Sequence, residues 1–467
     1  MGPPPPFRCT AHGWLCTASR LRRRNACVAN SRLAPRTGEA IDWLAALEPD
    51  PAHLATYSTL MADGALAGLK VLDLSRVLAG PWASQLLGDL GADVIKVEKP
   101  GSGDDTRGWG PPWLLDGAGQ PTADAAYFLC TNRNKRSLTV DMTQPQGQAI
   151  LRELAVRSDV VLENFKVGGL KAYGLDYASL AALNPKLVYC SITGFGQDGP
   201  YAARAGYDFL IQGMGGLMSV TGRAEDEAGA GPQKVGVALT DILTGLYATI
   251  AIQAALAHRD RTGQGQYIDL ALLDVQVACL ANQAMNYLVS GKAPRRMGNG
   301  HPNIVPYQDF PTADGDMILA IGNDGQFARF CDIAGHAEWS SDPRFASNAA
   351  RVSHRAELIP LLRQTTVMKT TAEWIALLEN AAVPCGPIND LAGVFADPQV
   401  MHRGLRVEMP HAAGGSAPQV GNPIRFSATP IDYRLAPPLL GQDTEAVLRE
   451  LGRSDQVIAA LRAAGVV

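Results

Sequence analysis

Lys70-Val71-Leu72-Asp73-Leu74 is a short run of β-forming residues, and Asp93-Val94-Ile95-Lys96-Val97-Glu98 is a second. Between them Pro81 stands where its fixed φ suits the first turn of a helix. Leu86, Leu87 and Leu90 follow at helical spacing, and Gly91 stops the run. Strand, helix and strand within about 30 residues form a βαβ unit, whose crossover implies parallel strands. The alternation continues outward. Residues 137–142, 160–163 and 187–191 read as strands, and 146–157 as a helix. Residues 235–239 read as a further short strand. It leads into a long helix that opens at Thr240-Asp241, runs through His258 and closes at Gly263 and Gly265, before a strand over 266–271. The expected fold is therefore α/β, with a doubly wound parallel core.

From about Asn282 the texture changes. A polar loop carries Arg295, Arg296, Gly298, Asn299, Gly300 and His301, then residues 309–321 predict a hairpin around Ala313-Asp314-Gly315-Asp316. Helices follow to about Asn380, which suggests a smaller α+β domain. The expected layout is 1–60 as leader, 61–280 as large domain, 281–395 as small domain, and 396–467 as a C-terminal segment returning to the first. The leader carries a proline run (Pro3 to Pro6) and seven Arg before the first acid, Glu39. It reads either as a disordered extension or mis-assigned start, with Met61 as the true beginning, or as a mitochondrial transit peptide. The first reading implies a cytoplasmic protein, the second a mitochondrial one.

Composition narrows the function. The formal charge of −4 offers no electrostatic footprint for nucleic acid. The eight Cys are scattered, without C-x-x-C or zinc spacing, and His301 has no partner at metal-ligand spacing, so no metal is expected. The longest apolar stretch, 242–257, is shorter than the roughly 20 residues of a spanning helix. The first strand-to-helix turn, Ser75-Arg76-Val77-Leu78-Ala79-Gly80-Pro81, is neither G-x-G-x-x-G nor a Walker loop, which disfavours NAD and ATP.

Among the carboxylates Asp241 stands out, between a strand and the long helix. In a first helical turn the orphan N–H groups and the positive dipole end favour its charged form, and an ionised carboxylate at a strand's carboxyl edge can attack a bound acyl group. An ordinary first-turn Asp is the competing reading. Lys99, Arg107, Arg133, Lys135 and Arg136 follow strands or lie in nearby loops, so they could converge on one crevice and receive phosphates. Tyr207-Asp208 is either a functional pair or a helix cap.

Taken together the motifs resemble the family III CoA-transferases of the CaiB/BaiF type. The resemblance runs from about Leu69 to Val467. It rests on residues 73–81, 88–98, 103–107 and 132–137, on Glu163-Asn164-Phe165 and Gly206-Tyr207-Asp208, and on Pro384-Cys385-Gly386-Pro387. Gly110-Pro111-Pro112 and residues 190–194, 304–308 and 394–400 resemble the succinate–hydroxymethylglutarate CoA-transferase branch. The resemblance implies an interlocked homodimer with a Rossmann-like large domain. It makes Asp241 the catalytic residue and matches the CoA contacts to Leu78, Ala79, Lys99, Val140, Asp141, Met142, Asn164, Phe165 and Lys166. Tyr207 falls at the substrate, and Gly298, Asn299 and Gly300 match the lid loop. Formyl-CoA transferase has a longer glycine run there, and an Arg near the position of Ala172, where Lys171 is the neighbouring cation.

The implied activity moves coenzyme A from an acyl-CoA, succinyl-CoA for this branch, to a small dicarboxylic acid such as glutarate or hydroxymethylglutarate. It passes through an Asp-linked anhydride and an aspartyl-CoA thioester. No permanently bound cofactor is implied, since CoA is itself substrate. Two alternatives stand beside it: a non-catalytic CoA-binding protein, and α-proton transfer as in α-methylacyl-CoA racemase. The racemase places a His where this chain has Tyr207, and a tyrosine of pKa about 10 is a poor base at neutral pH. Arg204, Arg295 and Arg296 are candidates to hold a distal carboxylate.

Overall fold

Six strands build the central sheet: β1 (Lys70–Asp73), β2 (Asp93–Glu98), β3 (Arg136–Thr139), β4 (Val160–Glu163), β5 (Val188–Thr193) and β6 (Tyr267–Ala271). They lie side by side in the order β3-β2-β1-β4-β5-β6, every pair parallel. This is a computed structural model, and it describes residues 64–467. The two readings of the leader fall outside those residues.

Side chains alternate across the sheet, as a period of two requires. Val71, Val160, Leu162, Val188, Cys190 and Ile192 pack on one face against α1 (Ala79–Asp89) and α4 (Leu239–Thr262). Leu72, Leu138, Val161 and Tyr189 pack on the other, against α2 (Pro145–Val156). Both faces are covered, and the central strands β4 (VVLE) and β5 (VYCSIT) are accordingly buried along their whole length. The C-terminal helices α6 (Thr444–Glu450) and α7 (Asp455–Ala463) add Val447, Leu448 and Ile458 to the second face. A further apolar core is drawn from residues 305–383. There the hairpin β7 (Tyr307–Pro311) and β8 (Asp316–Ala320), extended by β9 (Cys385–Pro387), packs on Phe330, Leu358 and Trp374.

The structure corrects the expected strand over 235–239. Those residues pair with no strand, because the place beside β5 is taken by β6. The N–H of Val235 instead donates to Gln212 Oε1 at 2.9 Å, and Val237 is 54% exposed. Helix α4 is also longer than its apolar stretch suggested. Among the described residues it is the one helix long and apolar enough to cross a membrane. Its buried side carries Thr244, Ala248, Ile252, Ala255 and Leu256 into the core beneath the sheet, which marks it as a core helix. At Gly245 it closes on α1, where a Cβ would come within 2.7 Å of the Ala79 carbonyl oxygen.

Candidate active site

The strand order reverses direction between β1 and β4, and the loops leaving their carboxyl ends part there. In a doubly wound sheet that parting is where ligands bind. The crevice is lined by Arg76, Val77, Leu78 and Ala79 after β1, and by Asn164, Phe165 and Lys166 after β4. Its far wall is made by Thr193, Gly194, Arg204, Gly206 and Tyr207, and Asp241 sits within it. Two glycines allow that wall, since a Cβ on Gly206 would fall 2.4 Å from Gly194 Cα.

The β1–α1 turn is held by buried side chains rather than by local hydrogen bonds. Ser75 N–H donates to Asp73 Oδ1 at 2.9 Å, and the Ser75 carbonyl accepts from Lys96 Nζ at 3.0 Å. Asn164 grips both polar groups of Arg76: its Oδ1 accepts from the N–H at 3.0 Å and its Nδ2 donates to the carbonyl at 2.7 Å. Val77 adopts φ +72°, a conformation a β-branched residue enters only at a cost. Its N–H is caught by the two oxygens of Asp104 at 3.2 and 3.3 Å. Asp104 in turn accepts from Lys96 Nζ at 2.8 Å, and the pair is fully buried. Burial opposes both charges, but it is outweighed for Lys96 by Asp104, Asp73 and Glu98 together, and for Asp104 by Lys96 together with the Thr106 hydrogen bonds. The Lys96 ammonium is held above its usual value, and the Asp104 carboxyl is lowered to about 2. The strained turn delivers the head of α1 to the crevice, which Leu78 and Ala79 line and where no side chain caps the helix.

Asp241 is the third residue of α4. The expectation that the helix terminus would favour its charged form is overturned, because another carboxylate holds that place. Asp208, the first residue of α3 (Asp208–Met214), accepts from Thr240 N–H at 2.8 Å and from Asp241 N–H at 3.4 Å. Its second oxygen accepts from Gln212 Nε2 at 2.7 Å. Asp208 is therefore a cap, but of a helix 31 residues further on. The Asp241 carboxylate receives no hydrogen bond among the described residues. It is only partly accessible, with protein packed closely around it. Burial, and then the negative charge of Asp208, raise its pKa to about 7. The result is a carboxylate facing the crevice without hydrogen-bond donors and poorly solvated, which is the condition of a reactive nucleophile.

The remaining expected residues divide. Leu78, Ala79, Asn164, Phe165, Lys166, Tyr207 and Asp241 meet in the crevice, with Tyr207 62% exposed. Lys99 and residues 140–142 lie along the same carboxyl edge, beyond β2 and β3, so that the sheet order sets them in line with Leu78 and Asn164. Lys99 is exposed, and the Asp141 carboxyl is held below its usual value by its hydrogen bonds from Thr143 and Gln144, with a smaller contribution from the Lys99 charge. Gly298, Asn299 and Gly300 do not line the crevice of their own chain. Gly298 lies beside Ala224, and Gly300 beside Arg355.

Four of the five expected phosphate-receiving cations are not free. Arg107 is buried between Glu98 at 2.7 Å and Asp124 at 2.5 Å, Arg133 pairs with Asp89 at 2.6 Å, and Lys135 with Asp73 at 3.3 Å. Arg136 pairs with Asp93 and Glu450. The interior carboxylates claim these cations, because neither sign of charge tolerates burial alone. The sequence does not reveal the roles of Asp104 and Lys96, nor that the helix Asp208 caps is α4, since each acts on backbone groups distant in the chain or on a neighbouring loop.

A doubly wound parallel sheet that brings a partly accessible carboxylate into the crevice at its switch point is the framework of an α/β enzyme. The chain belongs to CoA-transferase family III, whose model matches residues 66–444. It is a CoA-transferase. It is 54% identical over 386 residues to succinate–glutarate CoA-transferase of Agrobacterium fabrum, covering 83% of this chain and 95% of that protein. It is 45% identical over 403 residues to human succinyl-CoA:glutarate CoA-transferase, covering 86% of this chain and 90% of the human one. Among solved structures, a CAIB/BAIF family protein from Brucella suis superposes with a TM-score of 0.74 at 53% identity, over 83% of this chain and all of the other.

Proposed function

We propose that this enzyme transfers coenzyme A from succinyl-CoA to glutarate or a similar small dicarboxylate, with Asp241 as the covalent carrier. The observation that carries the reading is the Asp241 carboxylate, free of donors, facing the crevice at the switch point. The relatives named for succinate and glutarate support the choice of acids.

The chemistry follows from the carboxylate. Asp241 attacks the succinyl thioester carbonyl, the C–S bond breaks, and a mixed anhydride forms with CoA thiolate. The thiolate attacks the aspartyl carbonyl, releasing succinate and leaving an aspartyl-CoA thioester. Glutarate attacks that thioester, thiolate leaves again, and its attack on the glutaryl carbonyl yields glutaryl-CoA and the free Asp241 carboxylate. No net proton is consumed, and one acyl exchange is divided into several easier ones. The N–H groups of Ala79 and Gly80, at the uncapped head of α1, would meet the oxyanions.

Incubation with succinyl-CoA and glutarate is expected to give glutaryl-CoA and succinate in equal amounts. No product with any dicarboxylate would remove the substrate assignment. In the same assay kcat/KM should rise tenfold per pH unit up to about 7 and then level, because only ionised Asp241 attacks. Asp208→Asn keeps an oxygen for the Thr240 N–H but removes the repelling charge, so that limb should move to lower pH. A limb that stays in place would show that Asp208 does not set the Asp241 pKa.

The active unit we propose is a homodimer. Leu246, Tyr247 and Ile250 on α4, and Met285, Leu288 and Val289 on α5 (Ala281–Ser290), are all 40–80% exposed, apolar side chains that a second copy of the chain would cover. A light-scattering mass of one chain at working concentration would refute it.

A further inference from the structure

Resting on the dicarboxylate reading, we propose that Arg204 grips the distal carboxylate of the substrate and so selects dicarboxylic over monocarboxylic acids. Three arginines were candidates, and the structure separates them. Arg295 and Arg296 both turn to Glu225, at 3.9 and 3.7 Å, and neither lines the crevice. Arg76 lines the crevice but pairs with Asp105 at 3.0 Å. Arg204 lines it with Asp241 and has no carboxylate partner among the described residues.

The setting of Arg204 is built. Its guanidinium carbon lies 4.7 Å from the Tyr201 ring centroid and 5.1 Å from that of Phe195, and the two rings meet edge to face at 5.6 Å. Its one recorded polar contact is Nη2 to the Met214 sulfur at 3.7 Å, a weak acceptor. Aromatic contacts orient the planar group without using its N–H donors, which remain available as a fork for a carboxylate. Lys166 is the other crevice cation without an ion-pair partner among the described residues, but it belongs to the β4 loop with Asn164 and Phe165, whereas Arg204 stands on the wall that carries Thr193, Gly194 and Tyr207. A substrate with one carboxyl at Asp241 and its chain along that wall brings its second carboxyl to Arg204. A monocarboxylate leaves the guanidinium without its anion and gains nothing from it.

The test holds succinyl-CoA fixed as donor and compares glutarate with butyrate as acceptors, so that any effect on the donor step cancels in their ratio. Wild type, Arg204→Lys, Arg204→Ala and Asp241→Asn are measured. Arg204 is exposed, so its variants should fold, and thermal melting checks that they do. The expected result is that Arg204→Ala loses about 100-fold in kcat/KM for glutarate, as befits one lost charge-assisted fork. The glutarate-to-butyrate ratio should fall by about as much, and Arg204→Lys should fall between. A glutarate-to-butyrate ratio that stays at the wild-type value would overturn the role of Arg204 while leaving CoA transfer intact. A wild type that transfers CoA to butyrate as readily as to glutarate overturns the selection itself. Activity surviving in Asp241→Asn would instead strike at the underlying reading of the site.

Discussion

Asp241→Asn is expected to lower CoA transfer by at least about 10⁴-fold, the scale on which a covalent nucleophile is lost, while acyl-CoA still binds. The substitution keeps the shape of the side chain and removes only its capacity to form an anhydride. Leu78, Asn164 and Lys166 line the crevice from other elements and are untouched by it. Equilibrium binding of acyl-CoA measured beside turnover separates the two effects, and turnover within tenfold of wild type would exclude Asp241 as carrier.

The same variant should be more stable than the wild type, in a pH-dependent way. The carboxyl is raised from its ordinary 3.8 to about 7 by burial and by Asp208. Between those values the native chain keeps a proton that the unfolded chain has lost. Stability is therefore full below about pH 4 and declines as pH rises through 7. Asn carries no such penalty. At pH 8 the variant should gain about 2 kcal/mol, discounted from the full linkage value because the group is partly accessible, and at pH 4 nothing. Chemical unfolding at the two pH values reads this difference directly. An enzyme that gains stability by losing its nucleophile is one whose site is held at a cost to the fold.

The second large effect is expected at a residue that touches no substrate. Lys96→Met should destabilise by about 3–5 kcal/mol, because it leaves Asp104 ionised and buried without its cation. Urea unfolding measures it, with Arg76→Ala as the control, since the exposed Arg76–Asp105 pair should contribute less than about 1 kcal/mol. The double variant Lys96→Met with Asp104→Leu removes the stranded charge and should recover part of the loss. It should not recover activity, because the Val77 N–H then has no acceptor and the turn loses the restraint that holds φ at +72°. Full recovery of both stability and activity would show that the pair is only packing.

Much of this architecture is legible from residue order. The β-rich runs at 70–74 and 93–98, the helix between them and the glycine that ends it specify a βαβ unit locally, because strand and helix periodicities are properties of neighbouring residues. The hairpin around Ala313–Asp316 is equally local. Residues 235–239 show the limit. Their composition suits a strand, but a strand needs a vacant edge, and β6 arrives from 30 residues later to occupy it. Arg107, Arg133 and Lys135 show it again: as letters they look like phosphate ligands, and only the packed interior reveals Glu98, Asp89 and Asp73 waiting for them.

The chain by itself, then, determined the order of elements, the position of Asp241 at a helix start and the family motifs around it, since each depends on short-range spacing. Only the tertiary structure decided the character of that carboxylate. Asp208 reaches across from another helix to take the N–H groups expected to serve Asp241, and burial does the rest. Hydrogen-bond donors and solvent are apportioned by what packs nearby in space, and residue order alone does not carry that information.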